Sequence, residues 1–264
     1  MDYALNPQRS QQQLLQPTLA PAPLHSRRHS VRPVIAERCD ERLSYPTGSD
    51  TARLIGMMAG RRKVSQGQPL YREHDSFQYI YAVQSGSFKS TLTQAHGSEQ
   101  VCGFHMAGEL LGLDGVADGL HASNAFALED SEISTLSYAR LTELSAGIGG
   151  VHQAVMRVIS RDIVRSNSHM LVLGGLNSVQ RLAAFLLNYS ERLHARGYSA
   201  VEFHLKMARG EIGSFLGMTL ETVSRTFSEL QQQRLIQVDR RHIRISDLEG
   251  LAQASVCHSR RIAT

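Results

Sequence analysis

Cysteine is scarce in this chain, and the three cysteines lie far apart. Cys39, Cys102 and Cys257 are spread over 264 residues, and no two of them have C-x-x-C spacing. This distribution excludes a zinc finger, and three thiolates cannot supply the four cysteine ligands of an iron–sulfur cluster within one chain. The odd number also argues against structural disulfides. We therefore expect no metal site.

Long apolar runs and enzyme motifs are also missing. A membrane-spanning helix needs about 20 apolar residues in a row, and no stretch of this chain reaches that length. The opening MDYALNPQRSQQQ lacks the basic-then-apolar order of a secretory signal. No phosphate-binding glycine loop, nucleophile elbow or metal-ligand spacing occurs. We predict a cytoplasmic protein that is not an enzyme and has no membrane partner.

Charge is modest overall but unevenly placed. Residues 176–264 hold 12 Lys and Arg against 8 Asp and Glu, an excess equal to the net charge of +4 of the whole chain. A basic C-terminal third favours a polyanionic partner.

Residues 208–234 have the pattern of two helices joined by a tight turn. Gly217 supplies the turn, because only glycine adopts a positive φ without steric cost, and Thr219 is a good N-cap for the second helix. Three apolar residues at helical spacing form the buried stripe of that helix, namely Val223, Phe227 and Leu230.

The polar side chains at the start of the second helix can read base edges in a major groove. Arg225 has the planar fork of donors that fits guanine O6 and N7, Glu221 can accept from a cytosine amine, and Ser224 can contact either kind of group. Each good contact of this kind contributes about 1–3 kcal/mol of discrimination. The same spacing also fits an ordinary helical hairpin with a polar outer face.

A predicted β-hairpin follows the helix pair. Residues 235–238 and 242–245 hold apolar residues at strand spacing, with a basic tip between them. A helix pair followed by such a hairpin is a winged helix-turn-helix, which favours the DNA-binding interpretation. Five residues are predicted to contact the DNA backbone, namely Thr219, Thr222, Arg240, Arg241 and Arg244.

Short β segments separated by glycine-rich turns precede this region, from about Leu54 to Leu136. Strands are predicted at residues 79–83, 87–92, 99–104, 125–128 and 132–136. Short strands at this spacing predict a small antiparallel barrel or roll.

A long helix is predicted to join the roll to the C-terminal region. It runs from Gly150 to about Leu173, and Gly174-Gly175 ends it and forms a hinge. Residues spaced alternately by three and four positions form a heptad seam, namely Met156, Ile159, Ile163, Ser166 and Met170. The seam could pack within its own domain, but on a helix between domains it is better used against a second copy. We therefore predict a homodimer.

Together these patterns predict an α+β protein with four parts. Residues 1–48, rich in Gln, Pro, Ser and Arg, are predicted to be disordered. Residues 49–148 form an antiparallel β-roll, residues 149–174 the dimerisation helix, and residues 175–264 the winged helix-turn-helix domain, which begins with a helix over residues 179–196.

The order of these parts and several motifs resemble the Crp/Fnr family of bacterial transcription regulators, over about residues 50–255. Residues 86–116, 181–199 and 221–227 are similar to the Fnr branch, whose reading signature is Glu-x-x-Ser-Arg. The cyclic-AMP receptor branch has an arginine and a glycine where this chain has Leu220 and Ser224. The resemblance implies that the roll is similar to a cyclic-nucleotide-binding domain.

The same resemblance implies a function. Members bind double-stranded DNA as homodimers, and the Fnr-type signature implies an inverted repeat of TTGAT half-sites. Members also contact RNA polymerase, usually to activate transcription. The matching surface here is the roll loop around residues 94–100, with the contact residues Gln94, His96, Gly97 and Ser98.

Departures from the family pattern indicate that the chain uses no cofactor. Oxygen-sensing members hold a [4Fe–4S] cluster with an N-terminal cysteine group and one roll cysteine, whereas this chain offers Cys39 and has Ser134 at the roll position. Cys102 is predicted to be a small buried core residue. The Arg-Ser pair that holds the cyclic phosphate in the family is Ala122-Ser123 here, so we predict no cyclic-AMP binding and interpret Glu109 as a structural remnant.

Ser166 stands where oxygen-responsive members carry an acidic residue that weakens pairing, so the resemblance implies a dimer that forms without a cofactor. Two alternatives stay open on the same scaffold. A ligand- or haem-gated sensor would use histidines of the roll, namely His74, His96, His105 and His121. A redox switch would use Cys257 or Cys39. The reactivity of either thiol would depend on its pKa and its exposure.

Overall fold

The structure is a computed structural model that describes residues 49–256 of the chain. The predicted disorder of residues 1–48 lies outside the described residues, and so do Cys39 and Cys257. The predicted α+β class is confirmed, and every pair of neighbouring strands among the described residues is antiparallel.

Helices and strands alternate in blocks along the described residues. The helices are α1 (Ser49–Gly56), α2 (Tyr138–Gly147), α3 (Val151–Gly175), α4 (Ser178–His194), α5 (Arg209–Leu216), α6 (Leu220–Gln232) and α7 (Leu248–Ser255). The strands are β1 (Ala59–Val64), β2 (Pro69–Tyr71), β3 (Tyr79–Ser85), β4 (Ser87–Thr93), β5 (Glu99–Met106), β6 (Leu110–Leu111), β7 (Asn124–Ala127), β8 (Ser131–Ser137), β9 (Glu202–His204), β10 (Ile236–Asp239) and β11 (His242–Ile245).

The β-roll consists of two four-stranded sheets, with the strand orders β1-β8-β3-β6 and β2-β7-β4-β5. Inward-facing side chains of both sheets share one core, in which Phe88 and Ile133 are fully buried. Burial of each such side chain stabilises the fold by about 1.5–3 kcal/mol. Edge strand β1, with the sequence AGRRKV, exposes all but its last residue, and exposed charges of this kind discourage pairing with another edge.

Helices α1, α2 and the start of α3 cover the outer face of the first sheet. Leu54, Leu141 and Val151 are buried there against Ile80 of β3. Leu54 therefore belongs to a helix, and the prediction that the β pattern begins at this residue is wrong. This helix is amphipathic and has only eight residues. So short a segment, with one buried leucine, shows neither the alternation of a strand nor a long helical period in the sequence.

Helix α3 extends further than predicted. It includes Gly174 and Gly175 and is capped by Leu176, whose amide donates to Val172 O at 3.3 Å. The helix therefore ends within the predicted Gly174-Gly175 pair, two residues beyond Leu173, and buried Leu176 follows it. Asn177 then caps α4 with a capping box that includes Gln180.

The C-terminal helices and the three-stranded sheet β10-β11-β9 pack into one apolar core. Strand β9 was not predicted, and it pairs with β11 through Phe203 and Ile243. On α4, which was predicted over residues 179–196, Leu182, Phe185 and Leu186 are buried. This core holds the helix pair and the hairpin as one unit.

Cys102 is exposed, so the prediction of a buried core residue is wrong. The register of β4 and β5 shifts here, since Ser90 pairs with Gly103 and Thr91 pairs with Val101. Cys102 is the extra residue of this β-bulge, which breaks the alternation of faces and turns the thiol outward.

Candidate nucleic-acid interface

Two glycines allow helices α5 and α6 to approach closely. Gly217 ends α5 with φ of +62°, a left-handed conformation that favours glycine. At Gly213 a side chain would place its Cβ 2.6 Å from Met218 O, so the turn backbone can pass over α5 only because this position is glycine. The predicted turn lies at Gly217, and the requirement at Gly213 was not foreseen.

The N-terminus of α6 is capped as predicted. Thr219 Oγ1 accepts from the Thr222 amide at 3.2 Å. The backbone amide of Glu221 and the Thr219 hydroxyl both lower the pKa of the Glu221 carboxyl, which is therefore ionised near neutral pH. A carboxylate in the first turn is also stabilised by the helix dipole.

The start of α6 presents a polar, exposed face. Glu221, Ser224 and Arg225 are exposed, whereas Val223 and Phe227 are buried against the domain. Thr222, predicted to contact the DNA backbone, is half-buried, and its hydroxyl lies 3.1 Å from that of the capping threonine. The three residues proposed to read bases thus share one open face of the helix.

The predicted hairpin forms the wing. Strands β10 and β11 pair from Ile236–Ile245 to Asp239–His242, which leaves Arg240 and Arg241 as a two-residue loop. Arg240 has φ of +55°, and Arg240, Arg241 and Arg244 are all exposed. Three guanidinium groups at this end of the sheet can face a phosphate backbone.

Arg209 ties the wing to the helix pair, and sequence reasoning missed it. Its guanidinium carbon lies 3.3 Å from the centre of the Phe227 ring, and its Nη2 donates to Arg240 O at 3.0 Å. Burial lowers the pKa of Arg209 to about 10, so the side chain stays protonated at neutral pH. In the sequence Arg209 is only the first residue of a helix, and this position does not indicate that its side chain stacks on an aromatic ring.

The predicted seam of α3 faces outward from the chain. Met156, Ile163 and Met170 are 46%, 56% and 61% exposed. Val164 and Leu171 widen this apolar surface. Ser166 is exposed, and its hydroxyl donates to Asp162 O at 2.9 Å, so it brings no charge to the seam. Ile159 is half-buried.

The roll loop between β4 and β5 is exposed and internally bonded. Ser98 Oγ lies 2.8 Å from His96 Nε2 and donates to Gln94 Oε1 at 3.0 Å. The amides of Gly97 and Gln94 are also bonded within the loop. The four residues suggested for a polymerase contact therefore form one compact tip.

The region that resembles a phosphate-binding cassette is occupied by the chain's own side chains. Asp114 Oδ2 accepts from the Ala122 amide at 3.1 Å and from Ser123 Oγ at 2.7 Å, and Asp114 Oδ1 lies 3.2 Å from His121 Nδ1. The buried His121 ring stacks on Tyr71, with centroids 3.8 Å apart. Burial raises the pKa of Tyr71, which stays neutral.

Glu109, interpreted from sequence as a remnant, has partners from the C-terminal region. Its carboxylate accepts from Arg192 at 2.9 Å and from Arg196. All three side chains are buried. The carboxylate of Glu109 is therefore already bound by two guanidinium groups.

The four roll histidines are not brought together as one site. His74 and His96 are exposed, and His105 and His121 are buried. Burial lowers the pKa of His105 well below its ordinary value. Among the residues that the structure describes, no group of three or more His, Cys, Asp or Glu could hold a metal ion. No helix in residues 49–256 has the length and apolar character to cross a membrane.

Two family models match the chain. Residues 61–147 match a cyclic nucleotide-binding domain, and residues 180–254 match a Crp-like helix-turn-helix domain. These ranges correspond to the roll and to the helices and wing described above.

Similar whole proteins are transcription regulators. The chain is 42% identical over 205 residues to the transcriptional regulatory protein Btr of Bordetella pertussis, which covers 78% of this chain and 85% of that protein. It is 36% identical over 211 residues to the fumarate and nitrate reduction regulatory protein of Escherichia coli K12, covering 80% of this chain and 84% of the relative. The solved structure of FixK2 from Bradyrhizobium japonicum matches with a TM-score of 0.71 at 27% identity, over 76% of this chain and 99% of that one.

Proposed function

The chain belongs to the Crp/Fnr family of transcription regulators, and from this premise we propose that it acts in the cytoplasm as a homodimeric activator that binds a TTGAT-like inverted repeat without an iron–sulfur cluster. That it is a transcriptional regulator with a DNA-binding helix-turn-helix, and not an enzyme, follows from the family itself. The half-site, the dimer, the polymerase contact and the cofactor-free state are the proposal.

The observation that carries the proposal is the exposed reading face of α6. Glu221, Ser224 and Arg225 lie together on it, and the buried stripe fixes their direction. An arginine fork suits guanine, and an ionised carboxylate suits the amine of the paired cytosine. This display fits the G·C pair inside a TTGAT half-site, with the exposed arginines of the wing on flanking phosphates.

The apolar stripe on α3 supports the dimer. Large side chains that are about half exposed, such as Ile163 at 56% and Met170 at 61%, lose water contact when a second copy packs against them. A homodimer would place two reading helices on the two halves of an inverted repeat.

The content of the roll supports the cofactor-free state. Asp114 already satisfies the amide and hydroxyl donors at Ala122-Ser123, and Glu109 is paired, so the cassette residues do not fit a cyclic nucleotide. Ser134 at the matching cysteine position removes a thiolate ligand of the family's cluster. The exposed tip at residues 94–98 supports a polymerase contact.

Fluorescence anisotropy tests the proposal with labelled duplexes. Metal-free, nucleotide-free protein should bind the inverted TTGAT repeat more tightly than a scrambled duplex by about 10³-fold or more. Equal affinity for the two duplexes would refute the proposed specificity. An absorption spectrum of the freshly purified protein separates the alternative, because a Soret or iron–sulfur band would favour a cofactor-gated sensor.

A further inference from the structure

A buried ionic cluster joins the β-roll to the end of helix α4 and the turn that follows it. Glu109, at the turn between β5 and β6, has a side chain that is 3% exposed, and the side chains of Arg192 and Arg196 are 5% and 7% exposed. Arg192 Nη2 donates to both carboxylate oxygens, at 2.9 and 3.0 Å, and Arg196 Nη2 donates to Oε1. One negative charge is thus shared by two buried positive charges.

The backbone of the roll holds the same arginines. Arg192 Nη2 also donates to Phe104 O at 2.7 Å, and Arg196 Nε donates to Ala107 O at 2.6 Å. The second oxygen of Glu109 accepts from a main-chain amide of β5 at 3.2 Å. Because all these partners belong to β5 or to the turn after it, the cluster fixes α4 at one point on the roll.

Helix α5 docks on the same strand and on its neighbour β4. The Val101 amide of β5 donates to Ser214 Oγ of α5 at 2.8 Å, and Lys89 Nζ of β4 donates to Glu211 of α5 at 2.8 Å. Four roll residues belong to the same apolar core as the C-terminal helices, namely Val101, Phe104, Met106 and Leu128. Helix α5 therefore has a set position on the roll, and the turn at Gly217 transmits that position to α6.

We propose that Glu109, Arg192 and Arg196 form a clasp that sets the orientation of α6 relative to the roll, and with it the spacing at which two copies engage two half-sites. This inference rests on the proposed function, because half-site spacing has meaning only for a dimer on an inverted repeat. The exposed face of α6 stays open in this arrangement, so the clasp holds the helix pair and the wing without covering that face. Glu109 is a positioning residue, since it acts through the two arginines.

Loss of the carboxylate charge would open the clasp. Glu109→Gln has nearly the same shape but removes the carboxylate charge that both buried guanidinium groups share, and removing one partner of a buried ion pair is unfavourable in an interior of low dielectric constant. The weakened dock would allow α5 and α6 to rotate on the roll. Reading of each half-site would persist, because Glu221, Ser224 and Arg225 are untouched.

The test is binding of the full-length protein to labelled duplexes whose two TTGAT half-sites are separated by spacers that differ in one-base-pair steps. Wild type should prefer one spacing by about tenfold or more, and Glu109→Gln should reduce that preference to within about threefold. Discrimination between an intact and a mutated half-site should be unchanged in Glu109→Gln. The matched control is Glu132→Gln, which removes a carboxylate paired with Arg61 on the roll surface and should bind like wild type.

Each outcome decides one claim. Wild-type protein that does not distinguish the inverted repeat refutes the proposed function, whereas folded Glu109→Gln that keeps the wild-type spacing preference refutes only the clasp.

If Glu109→Gln does not fold, Arg196→Gln and Glu109→Asp replace it, since Arg196→Gln leaves Arg192 in place and Glu109→Asp keeps the charge. Arg196→Gln should then lose part of the preference and Glu109→Asp should retain more of it. Wild-type spacing behaviour in Arg196→Gln would again overturn the clasp.

Discussion

At the scale of single residues, Arg225 carries the most specific part of the account. It is exposed on α6, and its forked donors fit a guanine. Arg225→Ala should weaken binding to the palindrome by about 1–3 kcal/mol and relax specificity at that guanine. Anisotropy titrations with the repeat and with a guanine-substituted repeat measure both effects.

The control for this substitution is Arg140→Ala, an exposed arginine on α2 that pairs with Glu143. It removes the same charge away from the reading helix and should leave affinity nearly unchanged. Full affinity in Arg225→Ala would show that a different face of α6 enters the groove.

Arg240 should act on the phosphate backbone and not on bases. Because its φ is +55°, Arg240→Gly removes the guanidinium without backbone strain. Binding to all sequences should weaken about equally, and the slope of log affinity against log salt should fall by about one. A loss confined to the specific site would contradict a phosphate contact, and titrations from low to high salt on specific and scrambled duplexes distinguish these results.

The general tendency of cysteine to be buried explains one wrong prediction. Cysteine is often buried, and this tendency alone placed Cys102 in the core. The bulge opposite Ser90 and Thr91 reverses its direction, and a bulge depends on strand register, which the sequence of one strand does not reveal.

At the scale of elements, the apolar stripe of α3 should be a dimer interface. Ile163 is 56% exposed in the single chain, so Ile163→Glu should leave the fold intact and place like charges face to face in the dimer. Sedimentation at micromolar concentration should show a monomer, and affinity for the repeat should fall.

Leu120→Glu is the control for that stripe, because Leu120 is an apolar roll residue with 43% exposure outside α3. It should remain a dimer. A dimeric Ile163→Glu variant would place the interface elsewhere on the chain.

The contact between α3 and α5 should make stability depend on pH. The His169 ring stacks on Phe215 at 4.1 Å, and burial is the main cause that lowers its pKa below the ordinary value of 6.5. Above pH 6.5 both folded and unfolded states hold a neutral ring. As the pH falls below 6.5 the unfolded state takes up a proton first, so stability is lost progressively until the folded-state pKa is passed.

Chemical denaturation at several pH values measures this effect. His169→Gln should show a smaller loss of unfolding free energy below pH 6.5 than wild type, whereas His152→Gln, at an exposed position of α3, should match wild type. Some pH dependence should remain in His169→Gln, because burial lowers the pKa of His105 as well. An unchanged profile in His169→Gln would contradict the assignment to this ring.

Elements with strong local signals were predictable, and those defined by long-range pairing were not. The helix pair has glycine, a cap and an apolar stripe within residues 208–234, so its position followed from local chemistry. Strand β1 reads as a charged loop, and only its pairing with β8 makes it a strand. Strand β9 spans three residues and exists because β11 lies beside it.

At the scale of the whole molecule, one apolar core and one buried ionic cluster join the roll to the helix pair and the wing. The sequence predicted the order of these parts and an exposed polar face at the start of α6, because each is encoded in a short segment. It did not predict that Glu109 would pair with Arg192 and Arg196, which lie 83 and 87 positions away. Contacts at such separation follow from the docking of two units and leave no periodic pattern.

DNase I footprinting on a duplex with one inverted TTGAT repeat tests the central claim most directly. Protein freed of iron by chelation should protect both half-sites, as two patches on the same side of the duplex about one helical turn apart. No protected repeat, or protection that returns only when iron is added back, would contradict a cofactor-free dimer that reads both halves of the site.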